Sequence, residues 1–214
     1  MAKIRSLDQL QDTLDGELGW RIKEVLNLKM SISGTKSLAQ STLIRAGIAL
    51  LYAHWEGFIK SASLSYAEYV STRGLKFEDL KPCFIVLGLR GRLELLAVNR
   101  KNAPSVEALH FVQSKLSENA IFNLSNAINT ESNLSSSVFE NISGSIGIDT
   151  SGYSSYYNLI DESLLKRRNK VAHGEYLDIN AIEWKDLADT IIQLMRSYKT
   201  DIQNAATLGS FKAP

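Results

Sequence analysis

The stretch Leu43-Ile44-Arg45-Ala46-Gly47-Ile48-Ala49-Leu50-Leu51-Tyr52-Ala53-His54-Trp55-Glu56-Gly57-Phe58-Ile59-Lys60 decides the fold. Wound at 3.6 residues per turn it is apolar on most sides, the pattern of a helix central to a bundle. Its surroundings predict a helix over about residues 37–69. Upstream, Leu7, Leu10, Leu14, Leu18, Ile22, Val25 and Leu26 recur at three- and four-residue spacing. That predicts an amphipathic helix over residues 7–30, with Gly16 and Gly19 as candidate breaks and a loop at 31–35. At the other end, Asn180 followed by Glu183 makes a capping box, and Leu187, Ile191, Leu194, Met195, Tyr198 and Ile202 supply the apolar face of a last helix.

Between these segments the signals are weaker. Pro82 suits the first turn of a helix continuing through Val86, Leu89, Leu93 and Leu96, although Ile85-Val86-Leu87 alone also suits a short strand. Residues 99–152 turn polar, with isolated apolar positions such as Phe122, Leu124, Phe139 and Ile142, and predict short helices over 106–117 and 135–145. A further helix is expected over 154–173, with Gly174 as its left-handed C-cap. The expectation is an all-α fold: a helical bundle of about four long helices with short inserted helices. It forms one domain over residues 1–214, with a polar insertion around 99–152.

At 214 residues the chain can bury a sizeable core, and 44% hydrophobic with 22% charged residues is ordinary globular composition. A formal charge of +1 means that any surface for a polyanion must be local. Lys166, Arg167, Arg168 and Lys170 form one such cluster; Arg90, Arg92, Arg100 and Lys101 form a looser one. The single cysteine, Cys83, excludes an intrachain disulfide and a cysteine-rich zinc site. The three histidines, His54, His110 and His173, make no metal-binding spacing, so no metal and no other cofactor is expected. The N-terminus lacks a signal-peptide core and the longest apolar runs are too short to span a bilayer, which points to a cytoplasmic protein with no membrane partner. Gly88-Leu-Arg-Gly-Arg92 has no Walker or dinucleotide pattern, and there is no Gly-x-Ser-x-Gly. Trp20, Trp55 and Trp184 read as core and interface fillers.

The chemistry concentrates in Arg168-Asn169-Lys170-Val171-Ala172-His173-Gly174. A planar guanidinium able to fork a phosphate stands five residues before an imidazole, whose class titrates near neutral pH. Those are the parts needed to cleave RNA without a metal. At about 100° per residue the two side chains project roughly 140° apart. Either the arginine reaches around the helix or the helix distorts near its end. Cations and a histidine at a helix C-terminus also oppose the helix dipole, which is the structural alternative for the same residues.

Arg-x4-His with a polar residue after the arginine resembles the signature of the HEPN superfamily. The longer string Asp161-Glu162-x-Leu164-Leu165-x-x-Arg168-Asn169-x-x-Ala172-His173-Gly174 is similar to its prokaryotic toxin and defence branch (MAE-type HEPN nucleases). His54-Trp55-Glu56-Gly57-Phe58-Ile59-Lys60 resembles the second helix of that branch, where a histidine and glutamate precede an aromatic and a basic residue. The likeness is best over residues 42–69 and 134–177.

The resemblance implies a metal-independent endoribonuclease, a toxin or antiviral-defence effector. It would leave 2′,3′-cyclic phosphate and 5′-hydroxyl ends. His173 is the expected general acid or base, Arg168 the group that neutralises phosphoryl charge, and Asn169 a positioner of the phosphate or of His173. Glu56 is expected to orient His173 or Arg168 across the bundle, a helix-stabilising pair with Lys60 being its structural alternative. Lys166, Arg167 and Lys170 are the expected RNA-binding cations. One histidine per chain does not easily serve as both base and acid, so a homodimer sharing one groove is expected, with an antitoxin or defence protein as a further partner. The competing class is a catalytically silent HEPN module that binds nucleotide or a partner protein.

Overall fold

A computed structural model describes residues 3–98, 102–122, 124, 128, 130 and 133–214, apart from the side chains of residues 37, 91–98, 102–105 and 108. Its helices are α1 (Leu7–Ser33), α2 (Ser37–Ser71), α3 (Pro82–Val98), α4 (Asn102–Lys115), α5 (Ser136–Ser145), α6 (Lys166–Ala172) and α7 (Ala181–Thr207). Among the described residues there is no strand, only the isolated bridges Lys76–Asn119 and Leu80–Lys212. The all-α expectation holds. Of the looser basic cluster, the side chain of Arg92 and all of Arg100 and Lys101 lie outside the described residues.

Helix α1 opens on a capping box between Ser6 and Gln9 and passes unbroken through Gly16 and Gly19. Each glycine costs about 1 kcal/mol of helix propensity. The buried stripe Leu10, Leu14, Leu18, Arg21, Val25 and Ile32 outweighs that, because tertiary packing stabilises a helix more than propensity does. The long helices α1, α2 and α7 pack on one another, and α6 lies on α2. Ile44, Ile48, Leu51, Trp55, Phe58, Ile59, Ala62 and Tyr66 of α2 are all buried. A stripe through Leu38, Thr42, Ala46, Ala53 and Lys60 stays open to water. Gly47 is what lets α7 come close: a Cβ there would lie 2.8 Å from Trp184 Nε1.

Ile85-Val86-Leu87 is helical, inside α3. Phe84 of that helix, and Phe139 and Ile142 of α5, are buried in the same core. The polar middle of the chain therefore supplies core side chains as well as surface.

Residues 154–173 do not form the one regular helix that their periodicity suggests. A 3₁₀ helix, Ser151–Tyr156, leads to a π-helical segment, Leu159–Leu165, and only Lys166–Ala172 is α-helical. A π segment spends five residues per hydrogen-bonded turn instead of four, and a window over alternating apolar residues cannot register that change. Ile160 and Leu164 face the core from it, and Tyr153, on the 3₁₀ helix, donates its hydroxyl proton to Asp201 on α7.

Candidate active site

Two residues of the π-to-α junction grip one loop. Asp161 accepts the Ser136 N–H at 2.7 Å and the Ser136 hydroxyl at 2.6 Å, and so caps α5 from outside. Seven residues on, past the end of the π segment, Arg168 donates from Nη2 to Asn133 Oδ1 at 3.1 Å. The Arg168 guanidinium lies 3.9 Å from the centroid of the Tyr52 ring. The Tyr52 hydroxyl in turn accepts the Leu134 N–H at 2.6 Å. Burial pushes the Tyr52 phenol up from its ordinary pKa, while the Leu134 N–H and Arg168 pull the other way. Arg168 is thus clamped between an aromatic face of α2 and the loop before α5.

His173 stands apart from that clamp. It is the C-cap of α6, its N–H bonded to Asn169 O at 2.9 Å, and its imidazole is exposed. Gly174 follows at φ +73°, the left-handed turn expected from the sequence. The Gly174 N–H reaches Val171 O and the Glu175 N–H reaches Lys170 O, the paired bonds of a Schellman cap. Arg45 of α2 donates to Glu175 O at 2.7 Å and holds the turn against the bundle. The imidazole makes no hydrogen bond or ion pair with another described residue.

The helix distortion lies before Arg168, not between it and His173. Within one chain they remain on different sides of α6: the arginine points inward to Tyr52, and the histidine points out. Glu56 is half-buried one turn beyond Tyr52, and its charge acts on the Tyr52 hydroxyl. The residue of α2 that meets Arg168 is Tyr52.

His54 faces the other way, toward α1. It is buried, its Nε2 lies 2.9 Å from Glu24 Oε2, and the Trp20 ring meets it edge-on. Burial pushes its pKa down, opposed by Glu24 and reinforced by the Arg21 guanidinium. Arg21 itself is buried, bonded to the Glu17 carboxylate at 2.6 Å and lying over the Trp20 ring. Trp55 and Trp184 are in the core, and Trp20 is partly exposed.

Lys166, Arg167 and Lys170 line one open cleft of about 570 Å³ with Glu162 and Tyr176. Lys166 pairs with Glu162 at 2.6 Å, leaving Arg167 and Lys170 as the cations not drawn into that pair. Asn169, next to Arg168 on α6, is half-buried. Among the described residues no group of three or more His, Cys, Asp or Glu converges as a metal site would require, and no helix is long and apolar enough to cross a membrane.

Sequence reasoning passed over Tyr52, Asn133, Arg45 and Tyr176. Arg45 and Tyr52 carried a signal, since they are two turns apart on one helix and Arg45 is the one cation between Leu43 and Ala53. Asn133 carried none, because its partner comes from 35 residues away.

Neither a curated protein nor a solved structure matches the chain. A family model, RiboL-PSP-HEPN, matches residues 17–204, a span that contains α2, the clamp and all of α6. The chain belongs to the RiboL-PSP-HEPN family, within the HEPN superfamily.

Proposed function

We propose that the protein is a metal-independent endoribonuclease of the HEPN type, acting as a dimer. The observation that carries this reading is the pairing of a rigidly held cation with a free imidazole. Arg168 is fixed on Tyr52 and Asn133, the exposed His173 sits on a stiffened turn at the end of the same helix, and Arg167 and Lys170 of that helix line a cleft. In this reaction the RNA 2′-hydroxyl attacks the adjacent phosphorus as a base takes its proton. The P–O5′ bond breaks and an acid protonates the departing 5′-oxygen, leaving a 2′,3′-cyclic phosphate and a 5′-hydroxyl. His173 supplies one of these proton transfers and a second copy of His173, from the other protomer, supplies the other. Arg168 stabilises charge on the phosphoryl oxygens by forked hydrogen bonds, and Asn169 helps to position the phosphate. The water-exposed stripe of α2, with its small residues Ala46 and Ala53, is a suitable seat for a two-fold partner close to α6. A toxin or defence role, with a neutralising or triggering protein partner, follows from the likeness to the prokaryotic MAE-type branch.

The second reading, a silent binding module, draws on the same clamp: an arginine engaged by Tyr52 and Asn133 also serves simply to join α6 to α2. Cleavage of a single-stranded RNA in excess EDTA separates the two. Wild type should cut and leave cyclic phosphate ends, His173→Ala should not, and Arg168→Lys should cut poorly, because an ammonium lacks the planar fork. A wild-type protein that is monomeric and inert, or a His173→Ala variant as active as wild type, would leave the binding module standing.

A further inference from the structure

Tyr176 is 83% exposed, an unusual setting for a large aromatic side chain in a segment whose backbone is held on both sides. Before it, Glu175 is bonded through its N–H to Lys170 and through its carbonyl to Arg45. After it, Leu177 packs against the core, Ile179 is buried, and Asn180 caps α7. Neither the left-handed turn nor the apolar anchors need a ring at this position. The ring is shared by two neighbouring clefts. One carries Lys166, Arg167 and Lys170, with Glu162 paired to Lys166; the other, of about 500 Å³, carries Thr42 and Arg45 and reaches Gly174, next to His173, and Asp178 lines both. The exposed aromatic ring stands on an anchored backbone, with Arg167 and Lys170 on one side, Arg45 on the other and two residues between it and the candidate catalytic His173. That combines the stacking face and the cations of a single-strand binding channel, Asp178 being the acidic group beside it.

We propose that Tyr176 is the base-stacking platform of the RNA-binding surface. One unpaired nucleobase lies on its ring, while the flanking phosphates run over Arg167 and Lys170 on one side and Arg45 on the other. This rests on the ribonuclease reading and deepens it by naming the substrate class: single-stranded RNA with an unstacked base next to the scissile phosphate. Duplex RNA is excluded, because its bases are stacked on one another and their faces are not available to the ring. The base identity is tolerated, since every base offers a π-face. Tyr176 is a positioning residue and takes no part in proton transfer.

The test uses the full chain in a His173→Ala background, so that RNA is bound but not cut. The probe is a short oligouridylate carrying one 2-aminopurine, whose fluorescence is quenched on stacking. Tyr176→Ala should weaken binding roughly 5- to 150-fold and abolish the quench, the range expected for one base–aromatic stack. Tyr176→Phe and Tyr176→Trp should bind within about threefold of the parent and keep the quench, and an RNA duplex should bind every variant alike. A Tyr176→Leu variant that binds as well as Tyr176→Phe, or an alanine variant that binds like its parent, overturns the proposal. So does an alanine variant that loses affinity only because it has become monomeric, which sedimentation reads directly. Stacking without any cleavage by the His173-intact protein would refute the ribonuclease reading and leave this one intact. Cleavage indifferent to Tyr176→Ala would do the reverse.

Discussion

Tyr52→Phe separates what holds Arg168 from what holds the fold. The substitution keeps the ring beneath the guanidinium, 3.9 Å from its centroid, and removes only the hydroxyl that accepts the Leu134 N–H at 2.6 Å. A buried N–H left without its acceptor costs about 1–3 kcal/mol. For a chain of this size about 1 kcal/mol corresponds to roughly 2–4 °C, so Tm should fall by roughly 2–12 °C. The same loss loosens the loop at Asn133 and Leu134 against which Arg168 is braced. A displacement of about 1 Å in a positioning group can cost on the order of 100-fold in rate. Tyr52→Leu should be worse still, because it also removes a cation–π contact worth about 1–2 kcal/mol in a partly desolvated setting. Single-turnover RNA cleavage, measured well below the lowest Tm, should therefore rank wild type above Tyr52→Phe above Tyr52→Leu. KM should stay within about threefold, since Arg167 and Lys170 are untouched. If both variants cut at the wild-type rate while their Tm values fall, the contact is structural only and Arg168 does not depend on it for activity.

Two further outcomes concern the turn and the buried histidine. Gly174 sits at φ +73° with open space where a Cβ would go, so Gly174→Ala meets no clash. It should still lose about 1–2 kcal/mol from the left-handed backbone alone, read as a lower urea midpoint at unchanged m; a midpoint equal to wild type would refute it. Burial holds His54 below its ordinary pKa, so the unfolded chain binds the extra proton first as pH falls. Stability should therefore be full above about pH 6.5 and decline as pH falls through that value toward the depressed native one. A His54→Gln variant should show a shallower decline of Tm over the same window, and an identical slope would remove His54 as the cause.

The helices were readable where a single physical signal dominates. Asn180 with Glu183 is a local capping pair, and the stripes of α1 and α7 repeat at helical spacing over about six turns. The same tools leave Gly16 and Gly19 as candidate breaks in a helix that is in fact continuous, because the packing that outweighs two glycines comes from other helices. They also missed the π segment at Leu159–Leu165. Its apolar pattern fits an α-helix, and the bond that accompanies the distortion joins Asp161 to Ser136, 25 residues earlier. Sequence spacing can locate Asp161 beside an apolar run, but not the loop that it caps.

The candidate site divides along the same line. Arg168 and His173 stand out because a guanidinium and an imidazole five residues apart are chemically conspicuous, and their angular separation of roughly 140° follows from the helical period alone. What the period does not contain is the environment of each. Arg168 is held inward by Tyr52, on a helix more than a hundred residues away in sequence, and by Asn133, in a polar stretch with no pattern of its own. His173 is left outward because Gly174 ends the helix at that point and Arg45 ties the turn down. The π segment cannot reduce the angle between them, since both residues follow it. A phosphate gripped by Arg168 of one bundle is therefore better served by an imidazole from a facing bundle than by the one on its own helix. That is the geometric reason the ribonuclease reading requires two chains.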